Sequence, residues 1–147
     1  MQASIVFRLL PGPIPPKTLL AFRKDAGWTN AEVPDEKARQ PGSRVQWATM
    51  QTGSRVIGIA RLELAPPQFC FVSDLIVASR HRGRGLGVWF MEQIERHCSG
   101  AGIPRVLLQP TEGSAGFYEK LQFVSDPIVA GFLKKELGPF QRRRFGA

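Results

Sequence analysis

Nine residues, Ser79-Arg80-His81-Arg82-Gly83-Arg84-Gly85-Leu86-Gly87, set arginines among glycines between an apolar run and an amphipathic one. That composition suits one task, the holding of a phosphate. Gly83, Gly85 and Gly87 reach backbone angles closed to other residues and leave no side chain between the main chain and a ligand. Amides freed in this way, with the first unpaired N–H groups of a following helix, converge on one spot and favour an anion there. Arg80, Arg82 and Arg84 add mobile positive charge around the same spot. A solvated, flexible turn has the same composition, and a glycine-rich motif taken alone gives many false matches. Two familiar phosphate loops are excluded. No GxxxxGK[ST] sequence is present, and Gly83 to Gly87 reads GxGxG with no acidic residue closing a second strand, unlike a dinucleotide fold.

The flanking runs say how such a loop is positioned. Phe69 to Val77 is rich in aromatic and β-branched residues and predicts a strand buried on both faces. Leu86, Phe90 and Ile94, with Gly87, Met91 and Cys98, recur at helical spacing, so the chain passes from strand to helix within the glycine-rich turn.

These residues resemble the acetyl-CoA loop of the GNAT superfamily of N-acetyltransferases, whose signature [RQ]xxGx[GA] fits Arg80 to Gly85. A second stretch, Thr111 to Phe123 (TEGSAGFYEKLQF), is similar to that family's NxxAxxLYxKxGF segment and follows a short strand at Arg105 to Gln109. Phe117, Tyr118, Lys120, Leu121 and Phe123 match. Thr111 replaces the usual Asn, Ser114 the usual Ala, and Gln122 a helix-ending Gly. A residue with a Cβ is disfavoured in the left-handed cap that Gly takes freely, so the loop after that helix is expected to depart from the family's. The resemblance covers residues 69 to 124 and implies a single-domain α/β fold over residues 1–147, a mixed, mostly antiparallel central sheet with helices on both faces.

The resemblance also implies roles. Acetyl transfer from a thioester to an amine requires a held cofactor, a neutral amine and a proton for the leaving thiolate. Acetyl-CoA would be held by the amides of Arg82, Gly83, Arg84, Gly85, Leu86 and Gly87, with Leu75, Ile76 and Val77 pairing their backbone with the pantetheine arm. Tyr118, the chain's one tyrosine, takes the role of general acid. For the base, Asp74 interrupts an apolar strand and Glu63 ends its neighbour; either serves equally as an arginine's structural partner, and a water chain also carries a proton away. The expected acceptor is a primary amine of a small molecule or peptide. A non-catalytic module of the same fold, binding nucleic acid or acyl-CoA as a regulator, is the alternative.

Composition is compatible with both readings. The chain has 147 residues, enough for one domain with its own core, and carries a net charge of +8. Much of the surplus lies in the Arg80 to Arg84 loop and in Arg142, Arg143 and Arg144, with no aromatic-interleaved RNA motif, so nucleic acid is not the expected partner. No apolar run reaches membrane-spanning length and Met1 to Leu10 lacks the pattern of a secretory signal. Cys70 and Cys98 have no CxxC spacing and are expected as reduced thiols in a cytoplasmic protein, and His81 and His97 complete no metal set with them. Assembly as a homodimer stays open.

Periodicity predicts strands at Ser4–Leu10, Arg44–Gln51, Arg55–Leu64, Arg105–Gln109 and near Ile128–Lys134. Helices are predicted at Lys17–Ala26 with Gly27 as its stop, Leu86–Cys98 and Ser114–Leu121, with room for a short one at Asp35–Gln40. Thr52-Gly53 is the expected hairpin turn.

Overall fold

Prolines and glycines punctuate the chain where the secondary structure changes. The computed structural model describes residues 4–28, 44–111 and 113–138, so the Asp35–Gln40 helix and the Arg142–Arg144 tract lie outside the described residues. β1 (Ile5–Leu9) ends before Pro11, and Pro16 opens α1 (Pro16–Asp25), where a missing N–H is harmless. Gly27, at φ +80°, stops that helix: its amide bonds to Lys24 and the Trp28 amide to Arg23. β2 (Val45–Thr52) and β3 (Arg55–Ala65) form a hairpin through Gly53 at φ +60°. β4 (Phe69–Val77), α2 (Leu86–Gly100), β5 (Arg105–Leu108), α3 (Ala115–Lys120), β6 (Val124–Ser125) and β7 (Leu133–Glu136) complete the described order.

The strands make one seven-stranded sheet in the order β1-β2-β3-β4-β5-β7-β6. Every neighbouring pair is antiparallel except β4 and β5, so the fold is the mixed, mostly antiparallel α/β sheet expected. One face is closed by α2 and α3, whose Phe90, Met91, Ile94 and Tyr118 pack on Ala48, Met50, Ala60, Leu62, Cys70 and Val72. The other carries α1 through Leu19, packed with Ile14, Trp47, Ile59 and Ile76. Alternating side chains along each strand feed the two cores separately. Gly58 lets β2 and β4 close on β3, because a Cβ there would stand 2.7 Å from Met50 Cε. Among the described residues no helix is long and apolar enough to cross a membrane.

Two features of β4 open the sheet. Its parallel ladder with β5 covers only Cys70↔Val106, Phe71↔Leu107 and Val72↔Leu108, after which β5 stops and β4 continues to Val77. Its antiparallel register with β3 slips between Ile59↔Ile76 and Arg61↔Ser73, so that Asp74 and Leu75 face Ala60 alone. This is a β-bulge, and Asp74 sits in it at φ +50°. In consequence β4 is not buried on both faces. Cys70, Val72 and Ile76 are buried while Phe71, Ser73, Asp74, Leu75 and Val77 are half-buried, because the departing β5 leaves one edge uncovered.

The C-terminal part corrects two further expectations. Ile128 is not in a strand but 88% exposed, since the Asp126 carboxylate accepts from the amides of Ile128 (3.1 Å) and Val129 (2.6 Å) and folds them into a turn. The last strand is displaced to Leu133–Glu136, and the two-residue β6 is too short to show any periodicity in the sequence. Gln122 does adopt the left-handed cap, at φ +76°, with the Phe123 amide bonded to Tyr118 and its own amide to Glu119. The helix end therefore keeps the shape a glycine would give it, at the expense of backbone strain. Because Gln122 is exposed, Gln122→Gly should stabilise the protein by about 0.5–1 kcal/mol, read as a higher urea midpoint at unchanged slope.

Candidate functional site

The uncovered edge of β4 opens a cleft of about 500 Å³ between β4 and the starts of α2 and α3. Leu75, Val77, His81, Arg82, Gly83, Gly85, Leu86, Gly87, Val88, Thr111, Ser114, Phe117 and Tyr118 line it. Its floor is strand backbone: the Ala78 amide bonds to the Ile57 carbonyl, so the N–H and C=O of Val77 face away from β3, toward the opening. Its far end is the glycine loop.

Gly83 (φ +79°) and Gly85 (φ +76°) are both left-handed, and a Cβ at either would meet nothing within 4 Å. They are needed for backbone angle and for an open face. At Gly87 the reason is proximity, since a Cβ would come within 3.2 Å of Phe117 Cζ, where α2 meets α3. Gly85 caps α2, whose first turn has no side-chain cap and no acidic residue. The amides of Leu86, Gly87 and Val88 are thus left without intrahelical partners, a positive helix end facing the cleft. The pattern [RQ]xxGx[GA] reads on Arg82 to Gly87 as well as on Arg80 to Gly85, and the later register is the one that opens the helix. The residues present fit a phosphate-bearing group: a backbone cradle, open space and an apolar wall of Leu75, Val77, Val88 and Phe117 leading away from it.

Tyr118, on α3, lines the same cleft. The residue is 8% exposed, and its ring packs edge-on between Phe117 (centroids 5.0 Å apart) and Phe123 (5.6 Å). Burial pushes its phenol up to about 12, so it is a proton donor throughout the neutral range.

Leu75, Val77, Arg82, Gly83, Gly85, Leu86, Gly87 and Tyr118 therefore share one cleft, while Ile76, Arg84, Asp74 and Glu63 are not among its lining. Ile76 is buried in the α1 core. The Arg82 guanidinium is folded back, its Nε donating to the Val77 carbonyl (3.0 Å) and its Nη2 lying 3.5 Å from Asp25. Asp74 turns to α1, where both its oxygens are taken by Arg23 Nε (2.8 Å) and Nη2 (3.0 Å), the two side chains 8% and 12% exposed. Glu63 pairs with Arg61 (3.2 Å) two residues back on β3 and opposite Phe71. His81, Val88, Thr111, Ser114 and Phe117 also line the cleft. Phe117 and Ser114 lie inside the TEGSAGFYEKLQF segment, but nothing about Val88 distinguishes it from a core residue of an amphipathic helix. Cys70 and Cys98 are free and fully buried, and Cys70's thiol is pushed up by its hydrogen bond to Cys98 and by burial. Among the described residues no three of His, Cys, Asp and Glu gather as a metal site would require.

The Acetyltransferase (GNAT) family profile matches residues 15–123, and the chain belongs to that family. A rice (Oryza sativa subsp. japonica) glucosamine 6-phosphate N-acetyltransferase 1 is 35% identical over 60 residues, 41% of this chain and 36% of that one, so the matched stretch spans about a third of that relative. Among solved structures, a GNAT family acetyltransferase from Elizabethkingia anophelis with acetyl-CoA bound superposes with a TM-score of 0.66 at 14% identity, covering 90% of this chain and 97% of its own. A Paia N-acetyltransferase from Thermoplasma acidophilum in complex with coenzyme A gives 0.66 at 16%, covering 90% and 99%.

The Arg23–Asp74 pair sets a test of Asp74's part. Asn tolerates the left-handed angle at this position but carries no charge, so Asp74→Asn removes a bidentate, charge-assisted pair between two nearly buried side chains. Thermal unfolding should show a loss of about 1.5–3 kcal/mol, with CD at low temperature unchanged.

Proposed function

We propose that the protein is an N-acetyltransferase that moves the acetyl group of acetyl-CoA to a primary amine of a small molecule or peptide by direct attack in a ternary complex. The observation that carries this reading is the cleft itself, which joins a capless helix end suited to pyrophosphate with a buried phenol suited to proton donation. Acetyl-CoA, when bound, supplies the activated thioester. The amides of Gly83 to Gly87 hold the phosphates, and the outward-facing N–H of Val77 orients the arm beside Leu75. Tyr118 gives its proton to the departing sulfur and is protonated when the step begins. Direct attack is favoured because neither cysteine is accessible to carry an acyl group. The proposed role of Asp74 is to fix the bulge through Arg23, since both its oxygens are already engaged. Solvent water receives the amine's proton.

A positioned acid contributes about 10² to 10⁴ in rate, so Tyr118→Phe should lower kcat at least about a hundredfold at unchanged CoA affinity. Because Tyr118 is held as phenol up to about 12, the parent's rate should rise with pH as the amine deprotonates and show no falling limb through about pH 10. A falling limb near neutral pH would remove Tyr118 from the role. Gly85→Glu puts a carboxylate into the phosphate cradle, and CoA should no longer raise its melting temperature, whereas saturation at about a hundredfold over Kd stabilises the parent by about 2.7 kcal/mol. Thiol release from acetyl-CoA with a panel of amines and basic peptides is the direct assay. A parent that binds nucleic acid in a salt-sensitive manner and releases no thiol would establish the non-catalytic alternative.

A further inference from the structure

The glycine loop has little to hold its own shape. Gly83 and Gly85 have no side chains, and from Ser79 to Gly85 the internal backbone bonds are His81 to Ala78 (2.9 Å) and Arg82 to Ser79 (3.2 Å), which make one 3-10 turn at Ser79–His81. That turn has no side-chain cap of its own. The missing cap is supplied from the far side of the sheet. Asp25, the last residue of α1, accepts from the Ser79 amide (2.8 Å) and the Ser79 hydroxyl (2.7 Å), and its Oδ2 lies 3.5 Å from Arg82 Nη2. One carboxylate thereby fixes the first residue of the turn and lies beside Arg82, the residue that enters the glycines, whose Nε also donates to the Val77 carbonyl (3.0 Å). Its own position is fixed in turn, because α1 ends in a bonded Gly27 cap and Arg23, two residues earlier, is clamped to Asp74 of β4.

We propose that Asp25 is a positioning residue for the cofactor: it holds the 79–85 loop in the shape that receives the phosphates of CoA without touching the ligand. This rests on the reading of the cleft as an acetyl-CoA site. Preorganisation of a loop appears in binding, because a loop ordered in advance loses less conformational freedom when the ligand arrives. It contributes little to global stability here, since the Asp25 side chain is 36% and Arg82's 47% exposed, and exposed pairs of this kind have small effects on folding. The carboxylate is held below the usual range, first by the Ser79 hydroxyl and then by its amide, which agrees with an ionised acceptor.

The test compares CoA binding by calorimetry, and acetyl-CoA kinetics, in the parent, Asp25→Ala, Asp25→Asn and Ser79→Ala. Asp25→Ala should weaken CoA about tenfold and raise KM for acetyl-CoA in step. Its kcat at saturation, its KM for the amine and its apo melting temperature should stay at parent values. Asp25→Asn, which keeps one oxygen for the Ser79 amide, should fall between, and Ser79→Ala should show a smaller loss. A properly folded Asp25→Ala that binds CoA as tightly as the parent overturns the proposal. So does a fall in kcat with unchanged Kd, which would make Asp25 part of the chemistry. A parent that does not bind CoA at all overturns the reading of the cleft, and the role of Asp25 with it.

Discussion

The bulge at Asp74 is the constraint on which the rest of the molecule depends. A sheet that ran uninterrupted from β4 to β5 would bury its edge amides in a ladder and leave no room for a ligand. Here the ladder lasts for three residue pairs, β5 ends at Leu108, and the extra residue in β4 turns the strand's last section away. A bulge with a non-glycine residue at φ +50° is strained, and such strain persists only where the surroundings over-determine it. Arg23 provides that determination through a bidentate, nearly buried ion pair. The charge pair has little to recommend it as a source of stability compared with an apolar contact, but its two parallel N–H···O bonds admit one mutual orientation, so it fixes geometry firmly.

The bulge also divides labour between the two faces of β4. Residues that alternate toward α2 and α3 build the larger core and place Tyr118 at the edge of the opening. Those toward α1 include Asp74, paired with Arg23, and Phe71, whose ring lies 5.7 Å from Phe132 and which stands opposite Glu63 of the Arg61–Glu63 pair on β3. The loop is basic, yet in the proposed site the attraction for an anion would come chiefly from backbone amides at the start of α2, because Arg82 commits its guanidinium to Val77 and lies beside Asp25. Fixed dipoles need no reorganisation when a charge arrives, whereas flexible arginines lose freedom. α1 links these parts, since its last turn grips the bulge through Arg23 and the loop through Asp25.

Much of this was legible in the sequence where local physics decides. β4 matches its predicted limits at Phe69 and Val77, because an apolar β-branched run between Pro67 and the glycine loop has no competing period. α2 and the Gly27 stop were equally plain. What escaped was set by non-local events. The partial exposure of β4 depends on where β5 leaves it, β6 exists through pairing with β7, and Ile128 is withdrawn from a strand by a carboxylate two residues earlier. In the site, Gly83, Gly85 and Gly87 announce themselves by type, and Tyr118 by its motif. Asp74's engagement with Arg23 and Asp25's with Ser79 span 51 and 54 residues, a separation at which no spacing rule operates.

If the backbone at the start of α2 is the anion site of this cleft, amide chemical shifts read it directly. In a 15N-labelled sample titrated with CoA, the N–H resonances of Gly83, Gly85, Leu86, Gly87 and Val88 should move downfield together and saturate at one Kd. Those of Leu75 and Val77 should follow at the same midpoint, while Arg61 and Glu63 stay in place. Saturable shifts confined to the Arg61–Phe71 face, with the glycine loop unmoved, would contradict an anion site at this helix end.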